Sequence, residues 1–418
     1  MKIRDIKVIL LPFAAAFVAT AGAATIDQMC VRQMWPWNEK VRIDYTLSGT
    51  AGESVDVSVT IRDAQGGTLS PLVSSFSGDL NEVSPGEHVI WWNPAASGLE
   101  LGNTSLTFTL AAEADPQRYC VIDISEENAY AVSYLASKPS GGWTDEYKTT
   151  KIVLRHVKPG SFVMGTPEDE AGRRTATSGN DVLDMACHKV TITKDYWLGV
   201  FPLTFKQATL VNGSEMGKTT TYVANQKDSS PAARLSLTAM IGWAGSADPS
   251  WYASPVPLEG SWLYKLNAGI TSGQIPSGTH FSIPTEAQWE YACRAGTTTA
   301  YGNGTDSITG IGPQTPATRP MYPVGGYSPN AWGFYDMHGC IWQWTLDRHS
   351  GYSSGSTVAQ TDPFYAPSAS DYWLIMRGGT YSTATSPTRD NRSGTRYYKT
   401  NTSAEAVLGA RIAIVKAP

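Results

Sequence analysis

Five cysteines, Cys30, Cys120, Cys187, Cys293 and Cys340, are the residues of this chain best suited to chemistry. A thiolate is both a nucleophile and a soft ligand, so cysteines can attack substrates, hold copper(I) or zinc, or pair as disulfides. Their spacings here match no zinc pattern. An odd number leaves at least one thiol outside any disulfide within the chain. Cys30 and Cys120 bracket the first part of the sequence and could close it as a staple, whereas the other three are scattered. His338 and Cys340 stand two apart, with Asp347 and His349 soon after, so a transition-metal site can be drawn from them. In an aromatic-rich turn such a pair more often serves structure. Arg377, Arg392, Arg396 and Arg411 each carry five N–H donors and read as ties for loop carbonyls and carboxylates. No G-x-S-x-G elbow, phosphate loop or dinucleotide fingerprint is present.

The elements that must position these residues begin after a leader. Basic Lys2, Arg4 and Lys7 precede an apolar stretch from Val8 to Val18 and the small residues Ala21-Gly22-Ala23-Ala24. That order reads as a secretory signal over residues 1–24, cleaved on export. Its apolar stretch is well short of the roughly 20 residues a spanning helix needs, and no later segment reaches that length. The expected destination is therefore the periplasm or the outside of the cell, without a membrane span. Lys and Arg number 32 against 37 Asp and Glu, a net charge of -5 with no basic run, which excludes nucleic acid as a partner. With 418 residues the chain is too long for one core, and 41% hydrophobic residues exclude disorder.

Apolar residues alternate with polar ones at Val41, Ile43, Tyr45 and Leu47, at Val55, Val57, Val59 and Ile61, and at Leu106, Phe108 and Leu110. A period of two predicts half-buried strands, and turn clusters such as Asp63-Ala64-Gln65-Gly66-Gly67 separate them. An all-β, immunoglobulin-like sandwich over residues 25–115 is the simplest reading, serving as a spacer. Residues 116–150 read as a linker with some structure. From residue 151 onward short helices and strands alternate with Gly, Ser and Thr loops. Thr204 with Gln207, and Thr285 with Gln288, form capping-box patterns that predict two short helices, the second placing Trp289, Ala292 and Cys293 on a core-facing stripe. Ser261 to about Asn267 predicts another.

Four pieces of this second region, taken together, carry a resemblance: PGSFVMGT at 159–166, IPTEAQWEYACRAGT at 283–297, NAWGFYDMHGCIWQWT at 330–345, and MRGGTY with LGARIA near the end. They resemble, in the same order, the formylglycine-generating enzyme or sulfatase-modifying factor family. The resemblance covers about 260 residues and implies an α+β, C-type-lectin-like domain over 151–418 with little regular secondary structure. It also implies an oxidase that converts a sulfatase cysteine to formylglycine with molecular oxygen and copper(I) held by two cysteines. Arg377, Gly378 and Gly379 fit the family's active stretch, as do Arg392, Arg396, Leu408, Gly409 and Arg411.

The two copper cysteines of that stretch fall here on Thr383 and Thr388. A threonine hydroxyl has no useful affinity for copper(I), so copper and the oxidase reaction are not expected. The resemblance further implies a calcium ion held by Asp336, the carbonyls of Gly339 and Ile341, and Gln343. Gln343 stands where the family has a glutamate, and Cys340 where it has an asparagine, so a weaker site is expected. Two functions follow. The first is a non-catalytic family member that binds an extended peptide or partner protein in a groove at Thr383, Thr388 and Arg392. The second is a lectin-like recognition or display module that binds a protein or glycan through the loop 381–406, whose Ser, Thr, Asp, Asn, Arg and Tyr suit adaptable contacts.

Overall fold

The computed structural model describes residues 24–34, 37–50, 52–99, 105–126, 129–174, 184–219, 226–242, 256–314, 321–349, 357–367, 373–381 and 387–416. The leader expected over residues 1–24 lies, but for its last residue, outside them. The chain divides into two compact units, Met1–Arg118 and Tyr119–Pro418.

The described residues of the first unit form six antiparallel strands: β1 (Thr25–Gln33), β2 (Val41–Ser48), β3 (Asp56–Arg62), β4 (Phe76–Gly78), β5 (Gly86–Trp92) and β6 (Thr107–Glu113). They form a four-stranded sheet in the order β1-β2-β5-β4 and a two-stranded sheet, β3-β6. The period of two decides which side of each strand is dry. Val41, Ile43, Tyr45 and Leu47 of β2 share one core with Ile61 of β3 and Phe108 and Leu110 of β6. Trp92 is buried between Phe76, stacked at 6.3 Å, and Phe108, edge-on at 5.6 Å.

The second unit is sheet-rich with few and short helices. Its largest sheet runs β13-β19-β12-β9-β7-β8 and is antiparallel throughout. Here β7 is Tyr119–Asp123, β8 Ala131–Leu135, β9 Lys151–Val157, β12 Tyr196–Gly199, β13 Thr279–Ser282 and β19 Ala413–Lys416. The linker expected over 116–150 is thus corrected. Its strand β7 pairs with both β8 and β9, and Cys120, Ile122 and Tyr130 lie in the main core of this unit. A smaller sheet, β17-β16-β14-β18, holds Tyr397–Thr400, Trp373–Arg377, Trp342–Arg348 and Leu408–Gly409 in that order. A third joins β10 (Gly160–Met164), β11 (His188–Ile192) and β15 (Gln360–Thr361).

The predicted helices are present as Phe205–Asn212, Trp262–Ala268 and Glu286–Arg294. Both capping boxes close: the Thr204 and Thr285 side chains accept from the backbone N–H three residues on, and Gln207 and Gln288 reach back. Among the described residues no helix is long and apolar enough to cross a membrane.

Candidate functional site

The helix Glu286–Arg294 organises the site. Trp289, Ala292 and Cys293 face the core, but the opposite side is dry as well: Glu286, Glu290 and Arg294 are also buried. Buried charges need partners and hydrogen bonds, and distant segments supply them. Arg396 donates to both oxygens of Glu286 at 2.6 and 3.0 Å. Glu290 accepts from Arg294 at 2.8 Å, from the Gly165 N–H at 2.9 Å, and from Arg377. Burial raises the Glu290 pKa, but Arg377 and Arg294 outweigh it and hold the carboxyl below its ordinary range. Arg377 also donates to the carbonyls of Gly394 and Thr395 at 2.9 and 2.7 Å.

A cleft of about 630 Å³ opens beside this network, lined by Pro167 to Gly172 except Glu168, by Thr298 to Tyr301, and by Asp306, Arg389 and Arg392. That volume lies in the range of ligand sites. Arg392 is itself buried, with Glu170 and Asp184 as ion-pair partners and donations to the Arg389 and Gly172 carbonyls at 3.0 and 2.9 Å. Burial opposes its charge, but Asp184 and Glu170 outweigh this and hold it protonated. Arg392 therefore fixes the wall of the cleft, while the half-exposed Arg389 lines it and donates from Nε to Asp390 at 3.0 Å. Thr388 lies in the short helix Pro387–Asp390, next to Arg389. Thr383 lies outside the described residues.

Of the loop 381–406 expected to display contacts, residues 382–386 lie outside the described residues, and residues 390–396 are held by the same network. Asp390 to Arg396 are buried, with the Asn391 Oδ1 accepting from the Thr380 N–H at 3.2 Å. Polar composition had suggested exposure, but these side chains tie backbone loops inside the unit.

In the turn at the implied calcium ligands, Asp336 is buried with φ 56°, and its Oδ2 accepts from the Gly325 N–H at 2.6 Å. Burial pushes its carboxyl up to about 6, and its Oδ1 has no hydrogen-bond partner. Gly339 donates its N–H to the Gly378 carbonyl at 2.7 Å, and Ile341 is fully buried. Gln343 Oε1 accepts from Trp289 Nε1 and from Arg411 Nε, each at 2.8 Å. Its Nε2 donates to the Asp336 carbonyl at 3.2 Å. Both lone pairs of the Gln343 oxygen are thereby engaged, so this donor set does not fit a calcium ion.

The cysteines are not gathered. All five are free thiols, so the staple between Cys30 and Cys120 is corrected: Cys30 is exposed on β1 and Cys120 is buried in the second unit's sheet. Burial pushes the Cys293 thiol up to about 12, which leaves it protonated and unreactive. His338 sits 3.6 Å from Cys293, with one ring nitrogen on the Asn391 carbonyl at 2.8 Å and the other accepting from the Gly302 N–H at 3.1 Å. Asp347 instead accepts from the backbone N–H groups of Glu286 and Tyr365 at 2.6 and 3.0 Å. The transition-metal set His338, Cys340, Asp347 and His349 is therefore not assembled, and no group of three metal-binding side chains occurs among the described residues.

A sheet-rich unit with few helices, its long loops tied by buried arginines, is the kind of domain the four motifs resemble. Residues 144–416 match the Sulfatase-modifying factor enzyme 1-like domain, and the chain belongs to that family. Over 164 residues it is 29% identical to the Formylglycine-generating enzyme of Bos taurus. That match takes in 39% of this chain and 40% of the enzyme, so the chain spans under half the length of this curated relative. Among solved structures it is similar to PvdO from Pseudomonas aeruginosa, with 22% identity, a TM-score of 0.45, and 63% of this chain and 94% of that one covered. It is also similar to Treponema denticola variable protein 1, with 17% identity, a TM-score of 0.45, and coverage of 63% and 95%.

Proposed function

We propose that this chain is an exported, non-catalytic member of its family that binds an extended peptide of a partner protein in the cleft lined by Arg389 and Arg392. The observation that carries this reading is the pair of threonines, Thr383 and Thr388, at the positions where the family's oxidase has its copper cysteines. A hydroxyl cannot replace a soft thiolate on copper(I). The remaining cysteines offer no substitute pair: Cys293 and Cys340 are buried with thiol pKa values raised by burial, and Cys187 is half-buried and raised in the same way. The cleft meanwhile has a volume of about 630 Å³ and a wall fixed by Arg392. The basic and apolar leader supports export, and the alternating strands of the first unit support an immunoglobulin-like spacer.

The test is copper(I) titration with oxygen uptake, in the presence of a cysteine-containing sulfatase peptide. Neither tight copper binding nor peptide-dependent oxygen consumption is expected, while a fluorescent form of the peptide should still bind and be released by Arg389→Glu. Tight copper binding with peptide-dependent oxygen uptake would mean an active oxidase and overturn the reading. Display through the loop 381–406 is disfavoured by the burial of Asp390 to Arg396.

A further inference from the structure

We infer that the turn from Asp336 to Gln343 keeps its shape without a divalent cation, because Gln343 presents amide hydrogens where the family resemblance implies a carboxylate oxygen. The orientation of that amide is set by its neighbours. The Trp289 indole N–H and the Arg411 guanidinium can only donate, and both point at Oε1 at 2.8 Å. Rotating the amide would set two hydrogens against two donors, so Nε2 must face the other way, toward the Asp336 carbonyl at 3.2 Å. Residue 343 therefore turns an N–H donor, and not an oxygen, toward the backbone of Asp336, whose side chain is the other side-chain ligand the resemblance implies.

Charge points the same way. Arg411 is fully buried, and its guanidinium reaches the carbonyls of Gly199, Val200, Tyr335 and Asp336 at 2.7 to 3.3 Å. Asp336 is the one acidic side chain of the implied ligand set, and Arg411 is a cation already close enough to lower its carboxyl against burial. A divalent cation added here would leave two uncompensated positive charges out of water, a large penalty at low effective dielectric. Restoring a glutamate at 343 would remove the opposing N–H and supply the missing negative charge. The Asp336 Oδ1, buried and without a partner, is placed to serve such an ion.

The experiment uses the full chain, with calcium, and terbium as its luminescent stand-in, as probes. The wild type should melt at the same temperature in millimolar calcium and in chelator, and should show no saturable tryptophan-sensitised terbium emission. Gln343→Glu should gain both signals: a melting temperature raised several degrees by calcium, and saturable emission that calcium displaces. A wild type that binds terbium saturably, with the signal lost in Asp336→Asn, would overturn the inference. So would a folded Gln343→Glu that ignores calcium, since Gln343 would then not be the cause. Should Gln343→Glu fold only when calcium is present, that dependence is itself the expected gain. Should it fold under neither condition, the wild-type titration decides alone.

Discussion

At the scale of single residues, the Arg377–Glu290 pair is the most consequential contact of the second unit, because both side chains are out of water and each holds other segments. Removing one partner strands the other charge. Glu290→Gln should cost about 3 kcal/mol or more in urea unfolding, and a loss below about 1 kcal/mol would show the pair to be solvated. His338 gives a pH dependence of definite sign. Burial pulls its pKa from 6.5 to about 4, so the neutral ring is the folded form. A depressed base contributes stability that is present above pH 6.5 and lost as pH falls toward about 4, at most about 3 kcal/mol. The stability gap between wild type and His338→Gln should therefore narrow from pH 7 to pH 4.5; a gap constant across that range would rule the titration out. Neither effect was legible in the sequence. Glu290 occupies what composition suggests is the wet face of a helix, and nothing local tells that Arg377, 87 residues away, covers it.

At the scale of elements, the caps were legible because a capping box is closed by residues three apart. Thr285→Ala should cost about 1 kcal/mol, measured by thermal unfolding, through loss of its bond to the Gln288 N–H. The path of the chain after β16 depends on a close approach that no periodicity reveals. Gly379 has φ 69°, and a Cβ there would lie 1.9 Å from Asn391 Oδ1 and 2.8 Å from the Asp390 carbonyl. Gly379→Ala should therefore push Asp390 and Asn391 off the chain they pack on, destabilising by about 3 kcal/mol and exposing 390–396 to hydrogen exchange. Unchanged protection of those amides would show that the segment docks by other contacts. Strand β7 was missed for a related reason. It is the fifth strand of six, flanked on both sides, and Tyr119 to Ile122 are all buried, so the alternation that marks a half-wet strand is absent.

At the scale of the whole molecule, the boundary between the units falls after Arg118, and this has a testable consequence. A fragment of residues 119–418 should unfold cooperatively, whereas one of residues 151–418 lacks β7 and β8, bares the edge of β9 and should aggregate or melt far lower. Equal melting of the two fragments by calorimetry would show that the first two strands are dispensable. The sequence by itself determined what short-range patterns encode: the dry side of the strands in the first unit, the helix caps, the four family motifs, and the threonines at 383 and 388. Tertiary structure alone decided that Asp390 to Arg396 turn inward, that the charged side of a helix is dry, and that the Gln343 amide faces a would-be cation with its hydrogens. The physical reason is the same in each case. Desolvation and hydrogen-bond direction at a buried polar group are set by partners far away in the chain, and no local spacing carries them.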